Sequence, residues 1–129
     1  MEISAVSVSA TDLRRAVAFY ELLGFTFPPV EDGEQHVETA PGRGAQLMID
    51  SVEMLTELLG EAPRPGTGSA FAVRCADPAE VDAVAARVAT AGHTVLMEPW
   101  DAPWGQRYAT VADPDGYAVD LYAPSSPTD

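Results

Sequence analysis

A strand, a capped helix and a closing glycine occur twice in this chain at nearly constant separation, and that repeat limits its possible folds more than any other feature. Residues 3–8 alternate as a strand. Thr11 or Asp12 then caps a helix with Leu13, Ala16, Val17 and Tyr20 on one face, and Gly24 ends it. The pattern returns with a strand over 69–75, and Asp77 caps a second helix that has Pro78 at its first position and Glu80 placed to close a capping box. Val81, Val84, Ala85 and Val88 repeat the apolar spacing, and Gly92 stops this helix as Gly24 stops the first. The caps Thr11 and Asp77 are 66 residues apart and the closing glycines 68. Each glycine is followed by a short extended segment containing Thr26 or Thr94.

The remaining elements fit the same plan. Residues 25–27 are read as extended until Pro28 and Pro29 terminate them. Two further strands are expected over 35–39 and 46–50, around the Pro41-Gly42-Arg43-Gly44 turn. Residues 51–60 are read as a short helix and 62–68 as a plain linker. The last strand pair, 106–112 and 116–122, is joined by Asp113-Pro114-Asp115-Gly116, the chemistry of a tight type I turn. The fold class expected is α+β: two tandem βαβββ modules forming a curved mixed sheet around a cleft. The whole of 1–129 is one domain, with module one at about 1–60, a linker at about 61–68 and module two at about 69–124.

Composition excludes several partners. Twenty acidic residues stand against seven arginines, with no lysine, for a formal net charge of −13. Such a surface repels phosphate backbones and anionic membranes, so neither nucleic acid nor membrane is an expected partner; a cationic small molecule would be favoured, although acidity also serves solubility. No apolar run is long enough to cross a bilayer, no cleavable leader is evident at the start, and the lone Cys75 reads as a buried structural thiol. The expected location is cytoplasmic.

Asp120 is the exception within the last strand. It shares a face with Ala118 and Tyr122, and a carboxylate there needs water, a cation or a hydrogen-bond donor, because burying it alone is expensive. Exposure to solvent by strand alternation is an equally open reading. Trp100 and Trp104 flank Pro103 in what reads as a loop entering the hairpin. Two indoles so close together in a polar, proline-rich stretch are hard to bury, which points to contact with a ligand or a partner subunit, or to a cap on the open end of the core.

The duplicated plan, Thr11-Asp12-Leu13 leading to Ala18-Phe19-Tyr20 and Leu22-Leu23-Gly24-Phe25, and Asp113-Pro114-Asp115-Gly116-Tyr117 resemble the vicinal oxygen chelate superfamily, which includes glyoxalase I, extradiol dioxygenases and bleomycin-resistance proteins. The resemblance implies four metal-ligand positions on inner strands, which fall here on Ala5, Gln46, Ala70 and Asp120. Alanine has no donor atom, so the metal site reads as lost. A one-residue slip would bring in Val6 or Ser4 and Phe71 or Ser69, none of them a usual ligand, and neither His36 nor His93 matches a ligand position.

No metal, other cofactor or catalytic group is therefore assigned, although Asp120 or Glu38 remains a candidate base. No nucleophile elbow, paired-cysteine motif or phosphate loop is present. The branch most resembled is the metal-free bleomycin-resistance one, whose members bind an antibiotic as homodimers without transforming it. That implies sequestration of an aromatic, in one version cationic, small molecule by a homodimer. The ligand-binding residues expected are Trp100, Trp104, Phe71, Met48, Gln46, Tyr108, Asp120 and Tyr122. The alternatives are an enzyme of the superfamily, metal-dependent or acid–base, and an accessory domain that binds only another protein.

Overall fold

The computed structural model describes residues 1–66 and 70–125. The chain falls into two compact units, Met1–Gly66 and Thr67–Asp129. Of the expected linker and the strand after it, Thr67, Gly68 and Ser69 lie outside the described residues. Each unit is a βαβββ-like module with its own mixed sheet.

In the first unit, β1 (Ala5–Ala10), α1 (Leu13–Leu22), β2 (His36–Glu38), β3 (Gln46–Ser51) and α2 (Val52–Leu59) follow in order. The sheet order is β1-β3-β2, with β1 parallel and β2 antiparallel to β3. Asp12, not Thr11, caps α1, its carboxylate accepting from the Arg15 amide. The apolar face read from the sequence, Leu13, Ala16, Val17 and Tyr20, is buried together with Phe19. Helix α1 packs on β3, where Leu47 and Ile49 are fully enclosed. Burying one such aliphatic side chain is worth about 1.5–3 kcal/mol.

Residues 25–27 do not form the expected strand, so the first sheet has three regular strands among the described residues. Phe27 is buried instead as a core side chain, and the following loop is pinned by Arg14, which donates to the Val30 carbonyl and to Asp32. The short helix expected over 51–60 is present, capped by the Ser51 hydroxyl and closed by Gly60 at φ +85, a left-handed conformation that glycine adopts without a Cβ penalty.

The second unit runs β4 (Phe71–Arg74), α3 (Pro78–Thr90), β5 (Thr94–Ala102), β6 (Gln106–Ala112) and β7 (Ala118–Pro124), with sheet order β4-β7-β6-β5. The cap of α3 forms one residue off the expected capping box: the Asp77 carboxylate accepts from the Glu80 amide, and Glu80 accepts the amide of Ala76, the residue before the cap. Val81, Val84, Ala85 and Val88 are buried as this helix packs on β5, β6 and β7. Cys75 is buried, and desolvation pushes its thiol up to about 11.

The extended segment after Gly92 is longer than expected. Strand β5 has nine residues and includes Trp100, which the sequence placed with Pro103 and Trp104 in a proline-rich loop. The ladder with β6 shifts register between Val95 and Met97 and again between Met97 and Trp100. Pro99 falls within the second irregularity, on a strand at the edge of its sheet, where a missing N–H breaks no regular ladder. Trp104 does sit in a turn, between β5 and β6.

Candidate functional site

The turn joining β6 to β7 sets the register of the site. Buried Asp113 accepts the Asp115 and Tyr117 amides through Oδ1, each at 2.9 Å, while the Gly116 amide donates to the Asp113 carbonyl. Ala112 consequently pairs with Ala118, Thr110 with Asp120, and Tyr108 with Tyr122. Directly paired residues share a face, so Tyr108, Thr110, Asp120 and Tyr122 lie together. The opposite face carries Ala109, Val111, Val119 and Leu121, all buried on the α3 side.

Asp120 is half-buried, and each of its oxygens accepts one hydroxyl group. Tyr108 Oη donates to its Oδ2 at 2.6 Å and Thr110 Oγ1 to its Oδ1 at 2.8 Å. Burial first, and then the hydrogen bond to Asp120, pushes the Tyr108 phenol up to about 12, so it remains a neutral donor at physiological pH. The carboxylate that strand alternation left open between solvent and a partner is met by two hydroxyl groups of the neighbouring strand.

Aromatic rings continue from Tyr122 toward the edge strand. Tyr108 and Tyr122 stack with centroids 6.5 Å apart, Trp104 meets Tyr108 edge-on at 5.4 Å, and Trp100 meets Trp104 edge-on at 5.7 Å. The Trp104 indole N–H donates to Gln106 Oε1 at 2.9 Å, which fixes the ring over the start of β6. Trp100 is 38% and Trp104 58% exposed, so both rings present area to solvent. Five of the eight expected binding residues, Trp100, Tyr108, Asp120 and Tyr122 on the strands and Trp104 in the turn beside them, are thereby gathered at one face of the second sheet.

The other three are placed differently. Phe71 pairs with Val119, one residue out of phase with Asp120, so alternation turns it to the α3 side of the sheet rather than to the aromatic row. Gln46 and Met48 belong to the first unit, on the face of β3 that also carries Asp50. There His36 Nδ1 contacts Asp50 Oδ1 at 2.5 Å and Nε2 contacts Glu38 Oε1 at 2.8 Å. Gln46 Nε2 donates to Glu38 Oε2 at 2.9 Å and to the Thr39 carbonyl at 2.6 Å. Hydrogen bonds to Glu38 and then to Asp50 raise the His36 pKa, and the His36 hydrogen bond lowers that of Glu38. A surface cavity of about 300 Å³ opens beside Gln46, walled by Ser4, Pro41 and Gly42.

Sequence reasoning missed Thr110 and the His36–Asp50 contact. Thr110 was accessible in principle, because counting back from the turn puts it opposite Asp120. His36 required the antiparallel register of β2 on β3, which sets it against Asp50 and which no local motif announces.

The family's metal positions do not fit an ion here. Ala5 and Ala70 offer no donor, which leaves Gln46 Oε1 and the Asp120 carboxylate, fewer protein ligands than a held divalent ion takes, and each Asp120 oxygen already accepts a hydroxyl group. Among the described residues no group of three or more His, Cys, Asp or Glu is placed to hold a metal, and no helix is long and apolar enough to cross a membrane.

Residues 2–121 match the family described as Glyoxalase/Bleomycin resistance protein/Dioxygenase superfamily. A glyoxalase-related enzyme from Fulvimarina pelagi is 27% identical, with 95% of this chain and 87% of that chain covered and a TM-score of 0.79. The lactoylglutathione lyase of Agrobacterium tumefaciens is 26% identical over 94% of this chain and 92% of that one, with a TM-score of 0.67. A glyoxalase/bleomycin resistance protein/dioxygenase family enzyme from Burkholderia phytofirmans PsJN, 16% identical, shares the fold with a TM-score of 0.80 over 96% and 99% of the two chains. Among curated proteins, none matches.

Proposed function

The chain belongs to the glyoxalase/bleomycin resistance protein/dioxygenase superfamily, and on that premise we propose that it binds and sequesters an aromatic small molecule, such as an antibiotic, without a metal and without transforming it. The observation that carries this reading is the continuous set of rings Trp100, Trp104, Tyr108 and Tyr122 at one face of the second sheet, with the Asp120 carboxylate set among them. Flat apolar surface of this kind binds planar guests by stacking, and the indole faces add attraction for a cationic one. The donor set at the family's metal positions supports binding without an ion. Homodimerisation belongs to the same proposal; exposed Leu58 and Leu59 on α2 provide apolar surface for a second copy.

Intrinsic tryptophan fluorescence, titrated with a panel of planar antibiotics, tests the reading. Saturable quenching with the compound recovered intact is expected. Trp100→Ala or Trp104→Ala should weaken binding by about 1–3 kcal/mol, the usual worth of an aromatic stacking partner. Unchanged affinity in both variants would sink the assignment.

A second reading is an acid–base enzyme of the same superfamily. It is favoured by the His36 imidazole held between Asp50 and Glu38, and by relatives named as a glyoxalase-related enzyme and a lyase. Recovery of a chemically altered compound, lost on His36→Ala, would select it.

A further inference from the structure

Arg74 closes one end of the aromatic row. It pairs with Tyr122, Tyr122 with Tyr108, and Tyr108 with Trp100, so one line across all four strands reads guanidinium, phenol, phenol, indole. The adjacent line reads Ala72, Asp120, Thr110, Met97. Neighbouring strands lie about 4.8 Å apart, which makes the row roughly 14 Å wide, the length of two or three fused rings with a substituent at each end. Arg74 is exposed and joins none of the ion pairs among the described residues, whereas Arg14 is held by Asp32, and Arg107 by Asp82 and Asp101. Ala72 leaves the surface beside it low, so the guanidinium can be approached along the sheet.

We propose that the guest of this face is a planar aromatic acid that also carries an O–H or N–H donor. The proposal rests on the aromatic-binding reading above and narrows it. The ring system lies over Tyr122 and Tyr108, its carboxylate takes the Arg74 fork, and its donor reaches Asp120. A guanidinium presents parallel N–H groups that match a carboxylate, and each Asp120 oxygen keeps a lone pair after accepting from Tyr108 or Thr110. The net charge of −13 does not oppose a single carboxylate here, because fields from exposed charges fade over about 8 Å at physiological salt while Arg74 is in contact. The same acidity disfavours polyanions such as nucleotides and other polyphosphates.

Calorimetric titration with 6-hydroxy-2-naphthoate and its neutral analogue 6-hydroxy-2-naphthamide tests this on the full chain. The acid should bind about 10-fold tighter than the amide, the value of one charge-assisted hydrogen-bond set at a partly exposed site. Arg74→Gln should erase that difference, chiefly by weakening the acid, with the melting temperature unchanged; Arg74→Lys should keep part of it, since a point charge lacks the planar fork. Equal binding of acid and amide, unaffected by Arg74→Gln, overturns the proposal and leaves the aromatic site standing. Absence of saturable binding by either compound overturns both.

Discussion

The Tyr108 hydroxyl reaches diagonally across the β6–β7 ladder to Asp120, 2.6 Å away, although the residue directly opposite Tyr108 is Tyr122. This places the phenol between its two roles, one face toward the Tyr122 ring and its oxygen on the carboxylate. Asp120→Ala removes the acceptor of two half-buried hydroxyl groups. Stability should fall by about 1–3 kcal/mol in denaturant unfolding, the cost of leaving such groups unsatisfied. The Tyr108 pKa, followed by ultraviolet phenolate titration, should drop from about 12 yet stay above 10, because burial is the larger cause of its elevation and persists. A Tyr108 titration unchanged by the substitution would remove Asp120 from the account.

His36 joins β2 to β3 through Asp50 and also contacts Glu38 on its own strand, and its charge should be visible in solution. Its folded pKa lies above the ordinary 6.5, so the stability it contributes is complete below pH 6.5 and is lost as pH rises through the raised value. Glu38 is lowered below 4.5, so its contribution is present above pH 4.5 and disappears as pH falls through the lowered value. The tie is therefore strongest between those limits. An NMR titration of the His36 ring should show a midpoint above 6.5 that moves down in Glu38→Gln; a midpoint at or below 6.5 would contradict the arrangement.

Asp113 is buried at the turn that sets the register of the whole aromatic row. Asp113→Ala leaves the Asp115 and Tyr117 amides without their carboxylate acceptor, which should cost about 2–4 kcal/mol in denaturant unfolding. Asp113→Asn keeps an acceptor oxygen and should retain most of the stability. Equal losses in the two variants would mean that charge, not acceptor geometry, holds the turn.

Much of the fold is legible in the sequence because the decisive signals are local. Asp77, Pro78 and Glu80 announce the start of α3, and Asp113 to Gly116 announce the hairpin; each acts through hydrogen bonds spanning four residues or fewer. With the hairpin fixed, alternation places Asp120 and Tyr122 on one face. Phe71 escapes because β4 joins by a parallel pairing across the chain, and its phase against Val119 is set by tertiary packing rather than by a turn. Trp100 reads as loop because prolines break ladders, a rule that relaxes on an edge strand. Residues 25–27 show the converse: an extended, aromatic sequence without a ladder, whose Phe27 is taken up by the core.

The two register shifts in β5 also affect how molecules of this protein meet one another. β5 is one of the two edge strands of its sheet and exposes Leu96, Met97 and Trp100, a combination that on a flat strand would recruit further strands into a growing fibre. Pro99 withholds a donor and the bulges break the even spacing that an incoming strand must match. The chain can therefore leave apolar side chains uncovered while denying its own copies a template for cross-β stacking.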